Sequence, residues 1–271
     1  PTDDLMVYAK YARGYRQGGL NFTNPGPETW GPEKLDSYEV GAKASFRGAV
    51  SGNLNIAGFW NDLSNMQVFG GLTPRPEWAA LGVAGGNAVI NAGKSRIKGI
   101  EVDGSVLFFD SLRLSASYTY LDTKILSMKS AAELLPILDG TPFGTINPSA
   151  VAGSSFTFSP KHKLSATASY TLPLDEALGA LSVGATWIYS AKSLNDAGAP
   201  ATLAGYAFGV TPSNNIVNLN LDWKGVAGSP VDLSLFATNL TKEHYTIANT
   251  GAYPFSAGGG EILLSQPRFY R

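Results

Sequence analysis

Cations and aromatic rings are interleaved near the start of the chain, at Lys10, Tyr11, Arg13, Tyr15 and Arg16, and another cation follows at Lys43. A guanidinium offers a planar fork of N–H donors that matches a carboxylate or phosphate. This group therefore has the chemistry to hold an anionic ligand, with Arg13 and Arg16 favoured beside Gly14 and Tyr15. The competing reading pairs each cation with an acid of the same chain, such as Glu39, Glu101 or Asp103. Trp30, Trp78 and Tyr206, with Phe22, Phe143, Phe208 and Tyr253, fall in stretches between periodic segments. Their rings have two readings there, stacking on a flat ligand or packing loop against loop. The candidate ligand-binding set is Arg13, Tyr15, Arg16, Trp30, Trp78 and Tyr206.

Other chemistries find less material. The chain has 2 histidines, His162 and His244, with no carboxylate or second histidine at ligand spacing. A metal site needs three or four converging ligands, so neither a metal nor a cofactor is assigned. No nucleophile, base and orienting acid assemble around either histidine, and the chain reads as a non-enzyme. Cysteine is absent, which removes disulfides and thiol catalysis. A net charge of -1 offers no general attraction to nucleic acid. The glycine-rich stretches around 85–94 and 256–260 do not stand between a buried strand and an amphipathic helix, so a phosphate loop fails on context.

The elements that must position these residues repeat one pattern. From Tyr38 to Phe46 the even positions are Tyr38, Val40, Ala42, Ala44 and Phe46, and between them stand Glu39, Gly41, Lys43 and Ser45. Period two means a β-strand with two unlike faces. Leu164, Ala166, Ala168, Tyr170 and Leu172 alternate in the same way with Lys163, Ser165, Thr167, Ser169 and Thr171. Strands are expected at about 5–14, 35–47, 53–69, 87–103, 111–124, 161–172, 181–193, 215–224, 231–243 and 262–271. Several match the roughly 9–11 residues that cross a bilayer at a tilt. Charged residues make up 15% of the chain, against about 25% in an ordinary soluble domain. No run approaches the roughly 18 apolar residues of a spanning helix.

The gaps between strands carry direction. Long ones (15–34, 70–86, 125–160, 194–214, 244–261) alternate with short ones (48–52, 104–110, 173–180, 225–230). Outer-membrane barrels have short turns at one end and long extracellular loops at the other. On that orientation Tyr11, Tyr38, Tyr120 and Tyr189 lie near the outer ends of their strands, and Phe46, Tyr170 and Trp223 near the periplasmic ends. These form two aromatic girdles. Glu39 and Lys43 then line a wet lumen. A soluble β-sandwich, a propeller or an adhesin barrel is the alternative architecture. In the longest loop, Ser130 and Glu133 have capping-box spacing ahead of Pro136, which predicts a helix of one or two turns within 129–140.

With those residues in view, the chain resembles the barrel of TonB-dependent outer-membrane receptors. The stretches that carry the likeness are "VYAKYARGYRQGGLN" (7–21), "PEKLDSYEVGAK" (32–43), "NAGKSRIKGIEVDG" (91–104), "FSPKHKLSATASY" (158–170), "LFATNLTKEHY" (235–245) and "QPRFY" (266–270). The resemblance implies an all-β, antiparallel transmembrane β-barrel. Residues 1–271 would form a partial barrel domain, about ten C-terminal strands of a larger barrel of roughly 22, with the plug domain absent. The chain begins at Pro1 and is read as a piece whose upstream part lies elsewhere.

The function implied is a receptor in the outer membrane of a Gram-negative bacterium. It would be energised by the TonB complex through the missing N-terminal part and surrounded by outer-membrane lipid. The cargo implied is a scarce nutrient, a ferric siderophore first, with cobalamin, haem or an oligosaccharide as alternatives. A passive porin or diffusion channel is the other functional class.

Overall fold

A computed structural model describes residues 3–21, 27–195, 209–250, 261–265 and 267–270. Its main feature is an 11-stranded antiparallel sheet. The strands are β1 (Leu5–Arg16), β2 (Glu33–Phe46), β3 (Val50–Pro74), β4 (Gly86–Phe108), β5 (Leu112–Met128), β6 (Phe143–Pro148), β7 (His162–Thr171), β8 (Ala180–Ser190), β9 (Asn214–Lys224), β10 (Leu233–Thr238) and β11 (Phe269–Tyr270). Apart from β6, which pairs only with β3, each strand lies beside its neighbour in sequence from β1 to β11. The result is an up-and-down meander whose two outermost strands do not pair with each other among the described residues. Among the described residues no helix is long and apolar enough to cross a membrane.

Alternation becomes geometry through the register. Ala9 faces Val40, Val40 faces Gly58, Gly58 faces Ile100 and Ile100 faces Tyr120, so one apolar row crosses β1 to β5. It continues through Leu114, Ala168, Ala185 and Leu219 at other heights of the same face. On the opposite face, Asn55 Nδ2 donates to Asp103 at 2.8 Å and Ser105 Oγ donates to Asn53 at 2.7 Å. Thr167 and Thr186 are bonded across β7 and β8 at 3.0 Å. Val40 is 62% exposed and Leu219 40%, so no second protein layer covers the apolar face at these positions. A sandwich would bury those rows. A bilayer is the solvent that suits them.

The girdles are in place as well. Tyr11, Tyr38 and Trp60 occupy one register row, and the two tyrosine rings are 5.1 Å apart. At the other end Trp223 faces Leu181 and donates its Nε1–H to Leu178 O at 2.7 Å. One short turn carries Phe109 and Asp110 with φ of 51° and 55°, the left-handed conformation that suits a tight antiparallel connection.

The ten expected strands all occur, but several bounds move. β3 and β4 run past the expected 53–69 and 87–103, to Pro74 and from Gly86, and β5 continues to Met128. At about 3.3 Å per residue, β3 is far longer than a bilayer requires, and its upper half runs on past its last pairing with β2 at Ser64. The change comes at a bulge between Leu63 and Met66, where Asn65 has φ 58°. Beyond it the β3–β4 ribbon gains a dry partner. Leu72, Ala88, Ile90 and Ala92 pack with Leu134, Leu138, Phe143 and Ile146 into a buried cluster. β6 can lie against β3 because residue 70 is glycine: a Cβ there would come within 2.6 Å of Ile146 Cγ1. At the other end of the chain the expected 231–243 strand stops at Thr238. Asn239, with φ 51°, turns the chain and caps it, its side chain bonding Glu243 N and O at 2.8 and 2.9 Å. Of the expected 262–271 strand only Phe269–Tyr270 joins the sheet, and Glu261–Leu264 pairs with Thr246–Thr250 instead.

The helix expected in the longest loop is present as α2 (Ala131–Leu134), after a single turn α1 (Pro76–Ala79) at the β3–β4 tip. Ser130 and Glu133 form the reciprocal capping box, and a 3-10 turn, Leu135–Leu138, follows at Pro136. Phe143, one of the aromatics considered for ligand stacking, is 1% exposed and packs loop against loop.

Two outcomes follow for this extramembrane cap. Phe143→Ala should destabilise it by about 3–5 kcal/mol, read as faster amide exchange over 131–148 while β7–β9 keep their protection; equal loss in β7–β9 would show that cap and sheet open together. The Ser130 backbone N–H and hydroxyl hold the Glu133 carboxyl below the ordinary glutamate value. A depressed folded value means that this capping contribution is complete above the unfolded pKa, about 4.3, and is lost as pH falls through the folded one. The protection factors of the 131–135 amides, taken against unstructured amides at the same pH, should therefore fall on acidification in the wild type, and Glu133→Gln should flatten that dependence.

Candidate functional site

Arg16 ends β1 on the face shared by Tyr8, Lys10 and Gly14, the polar inner side of the sheet. Its guanidinium meets Glu33 Oε2 at 3.0 Å, and the same oxygen accepts the Gln67 backbone N–H at 2.9 Å. The Gln67 side chain in turn donates to Gln17 O and Gly31 O at 2.9 and 3.0 Å. The ion pair is thus fastened to the β3 bulge and to the loop after β1. Its arginine side chain is 60% exposed, while the glutamate is 14% exposed. An open pair of this kind adds little stability, so the guanidinium can exchange partners at small cost.

A cavity of about 560 Å³ opens beside it, lined by Arg16, Glu33, Gln67, Phe69, Phe156 and Thr157 among others. Its volume falls in the range of small-molecule sites, roughly 300–1,000 Å³. The 149–157 segment forms one wall. That segment is held to β5 by Ile125 N to Ser154 O and by Phe156 N to Thr123 Oγ1, both at 2.9 Å. One cation with the Glu33 carboxylate it can release, two aromatic rings and several hydroxyl and amide groups converge on the cavity. Such a lining suits an anionic ligand with flat or apolar parts.

The other candidates are spread more widely. Arg13 stands three residues before Arg16 and so on the opposite face, in the row of Asp36, whose carboxylate takes its Nε and Nη2 at 2.6 and 3.1 Å. Tyr15 shares that outer face and is 79% exposed at the strand end. Trp30 belongs to a two-residue ladder, Thr29–Trp30 with Gly19–Leu20, where its indole lies over Gly19. Its Nε1 is buried and finds no acceptor among the described residues. Trp78 is half exposed on α1, at the hairpin tip, and does not line the cavity. Tyr206, Phe22, Phe208 and Tyr253 lie outside the described residues. Of the six candidates, Arg16 reaches the cavity. Gln67, Phe156 and Thr157 were not singled out in the sequence, because only the bulge and the loop bonds bring them there.

Neither histidine joins the site. His162 stacks between Tyr118 and Tyr120, with Nδ1 2.8 Å from the Tyr118 hydroxyl, on the outer face. No group of three or more His, Cys, Asp or Glu side chains at metal-binding geometry occurs among the described residues.

Known proteins place this architecture. Residues 1–240 match the sequence profile of the family described as TonB dependent receptor-like, beta-barrel. The probable TonB-dependent siderophore receptor PiuA of Acinetobacter baumannii is 24% identical over 276 aligned residues, which cover 98% of this chain and 32% of PiuA. Among solved structures, the ferric yersiniabactin uptake receptor FyuA of Yersinia pestis superimposes with a TM-score of 0.70 at 16% identity, over 99% of this chain and 34% of FyuA. The PiuA structure gives 0.66 at 21% identity, over 99% and 33%. At these identities the superpositions establish the fold. This chain spans about a third of the length of each of these relatives.

Proposed function

This chain belongs to the TonB-dependent receptor-like β-barrel family, and we propose that it forms part of the barrel wall and outer rim of an outer-membrane receptor that imports a ferric siderophore. The Gram-negative outer membrane is the bilayer this reading requires, and TonB, engaging a part of the receptor outside these residues, supplies the energy. The observation that carries the reading is the rim cavity on the polar face, with the Arg16 guanidinium at its wall. The siderophore and ferric-chelate receptors among the relatives support the same cargo class.

The expected long connections at 15–34, 70–86, 125–160, 194–214 and 244–261 are assigned to the extracellular side, where they would close over the ligand. Arg16 is the first ligand contact, exchanging Glu33 for an oxygen of the anionic chelate. Tyr15, Trp30, Trp78 and Tyr206 are assigned to the surrounding rim. Iron arrives as cargo, already chelated. The free edges of β1 and β11 cannot remain unpaired in hydrocarbon. The rest of the receptor, about twice this length again on the scale of its relatives, is assigned to pairing them and to plugging the lumen.

In the full receptor, Arg16→Ala should weaken binding of an anionic ferric siderophore about tenfold in an equilibrium titration, and Arg16→Lys should recover part of the loss. Unchanged affinity across a panel of anionic ferric chelates would remove Arg16 from the site. Growth of a receptor deletion strain on that panel tests the function itself. Rescue by the intact gene that persists without TonB would replace the energised receptor with a passive channel.

A further inference from the structure

The cavity beside Arg16 holds a balance of charge. Among the described residues that line it, Arg16 and Glu33 are the only charged side chains, one cation and one anion in contact at 3.0 Å. The two are not held alike. The Glu33 side chain is 14% exposed, and its Oε2 accepts the Gln67 backbone N–H at 2.9 Å as well as the guanidinium. Gln67 is fixed in turn by its side-chain bonds to Gln17 O and Gly31 O and by its pairing with Asn91. The carboxylate is thereby anchored to the backbone of β3. Arg16, the last residue of β1, is 60% exposed and reaches Glu33 through its Nη2. An anion entering the cavity can take the guanidinium, but the carboxylate stays where it is.

That asymmetry constrains the ligand. Once Arg16 turns to a ligand oxygen, Glu33 keeps the bond from Gln67, and its other lone pairs face a cavity from which the ligand displaces water. A charged acceptor left without a donor there costs about what the new bond to Arg16 gains. A ligand with negative charge alone also meets the carboxylate at close range with the same sign. A ligand that presents an N–H donor, best an ammonium, next to its own carboxylate satisfies both protein groups at once. Because guanidinium and carboxylate touch, the two ligand groups must be neighbours as well, as they are in the head of an α-amino acid. Leu63, Met66, Phe69, Ile125 and Phe156 offer apolar surface to the rest of the molecule.

We propose that Glu33 is a specificity-determining residue, selecting a chelate that carries an adjacent ammonium and carboxylate over one that is purely anionic. In the complex the ligand carboxylate takes the Arg16 guanidinium and the ligand ammonium takes Glu33. One internal ion pair is exchanged for two intermolecular ones, and the net charge in the cavity stays at zero. The inference rests on the reading of this cavity as the cargo site and adds the charge pattern of the cargo. It also gives the Gln67 bond a role, since a carboxylate free to swing would leave the ligand ammonium without its partner.

The test uses the full receptor and a ferric tris-hydroxamate, neutral at its metal centre, that carries an α-amino acid head in three forms. The head is free, N-acetylated so that only the carboxylate is charged, or methyl-esterified so that only the ammonium is. In equilibrium titrations the wild type should bind the free head about tenfold more tightly than either capped form. Glu33→Gln keeps an acceptor for the Gln67 N–H but no charge, and should erase the preference over the N-acetylated head. Arg16→Gln should erase the preference over the ester. Glu133→Gln, which removes a carboxylate outside the cavity, should leave both preferences intact. Amide exchange at Gln67 reports whether Glu33→Gln keeps the local structure; where that protection is lost, the wild-type order of the three heads decides alone. Equal wild-type affinity for the three heads would overturn the proposal, as would a preference over the N-acetylated head that survives Glu33→Gln with Gln67 still protected. Binding of the anionic panel but of none of the three heads would overturn it too. A receptor that binds neither the heads nor the panel would overturn the cargo reading itself, and the inference with it.

Discussion

Hydrocarbon offers no hydrogen-bond partner, so each backbone N–H and C=O at membrane depth must find one within the protein. The sequential antiparallel ladder from β1 to β11 is the answer this chain gives. Once the backbone is committed to strands, side chains alternate between two solvents without choice. That is why Val40 and Leu219 can be half exposed in a stable fold, and why Asn55 and Asp103 can face the other way without a buried core between them. The polar side is wet and the apolar side is lipid, so neither demands the dense packing of a soluble interior.

Above the bulge at Leu63–Met66 the physics changes. Beyond the bulge the β3–β4 ribbon leaves the lipid-facing wall, and a two-stranded ribbon alone is marginal in water. It is stabilised as soluble proteins are, by burying Leu72, Ile90, Leu134, Leu138, Phe143 and Ile146 together. The capping box at Ser130 and the missing side chain at Gly70 let the long loop return to the ribbon and close that cluster. The rim cavity beside Arg16 lies at the junction of the two regimes. Its Arg16–Glu33 pair comes from the barrel strands, and its Phe156 and Thr157 come from the loop.

Much of this was legible from period and spacing. The two-residue alternation locates the ten strands and their order, and the Ser130–Glu133 spacing locates the helix. The same alternation already separates Arg13 from Arg16, since residues three apart on a strand face opposite ways. What the sequence could not show was anything created by contact between distant segments. The extension of β3 and β4 depends on a partner more than 65 residues away in sequence, as at Gly70 and Pro148. Periodicity fades there because every side of the ribbon is covered differently. The lining of the cavity by Gln67 and Thr157 follows from a bulge and two loop hydrogen bonds, neither of which leaves a motif. The turn at Asn239 was hidden by the apolar run Leu233–Ala237 that precedes it.

The bulge at Asn65 also marks a seam. On one side lies a wall whose constraints come from lipid and from strand-to-strand register. On the other lies a small, self-packed knob with its own interior. Because the two share few residues, the knob can change its sequence, even wholesale, while the wall keeps the pattern needed for insertion. Substitutions in the knob are therefore answered by repacking of its own interior. The architecture keeps that response there, leaving the part that must fold into the bilayer untouched.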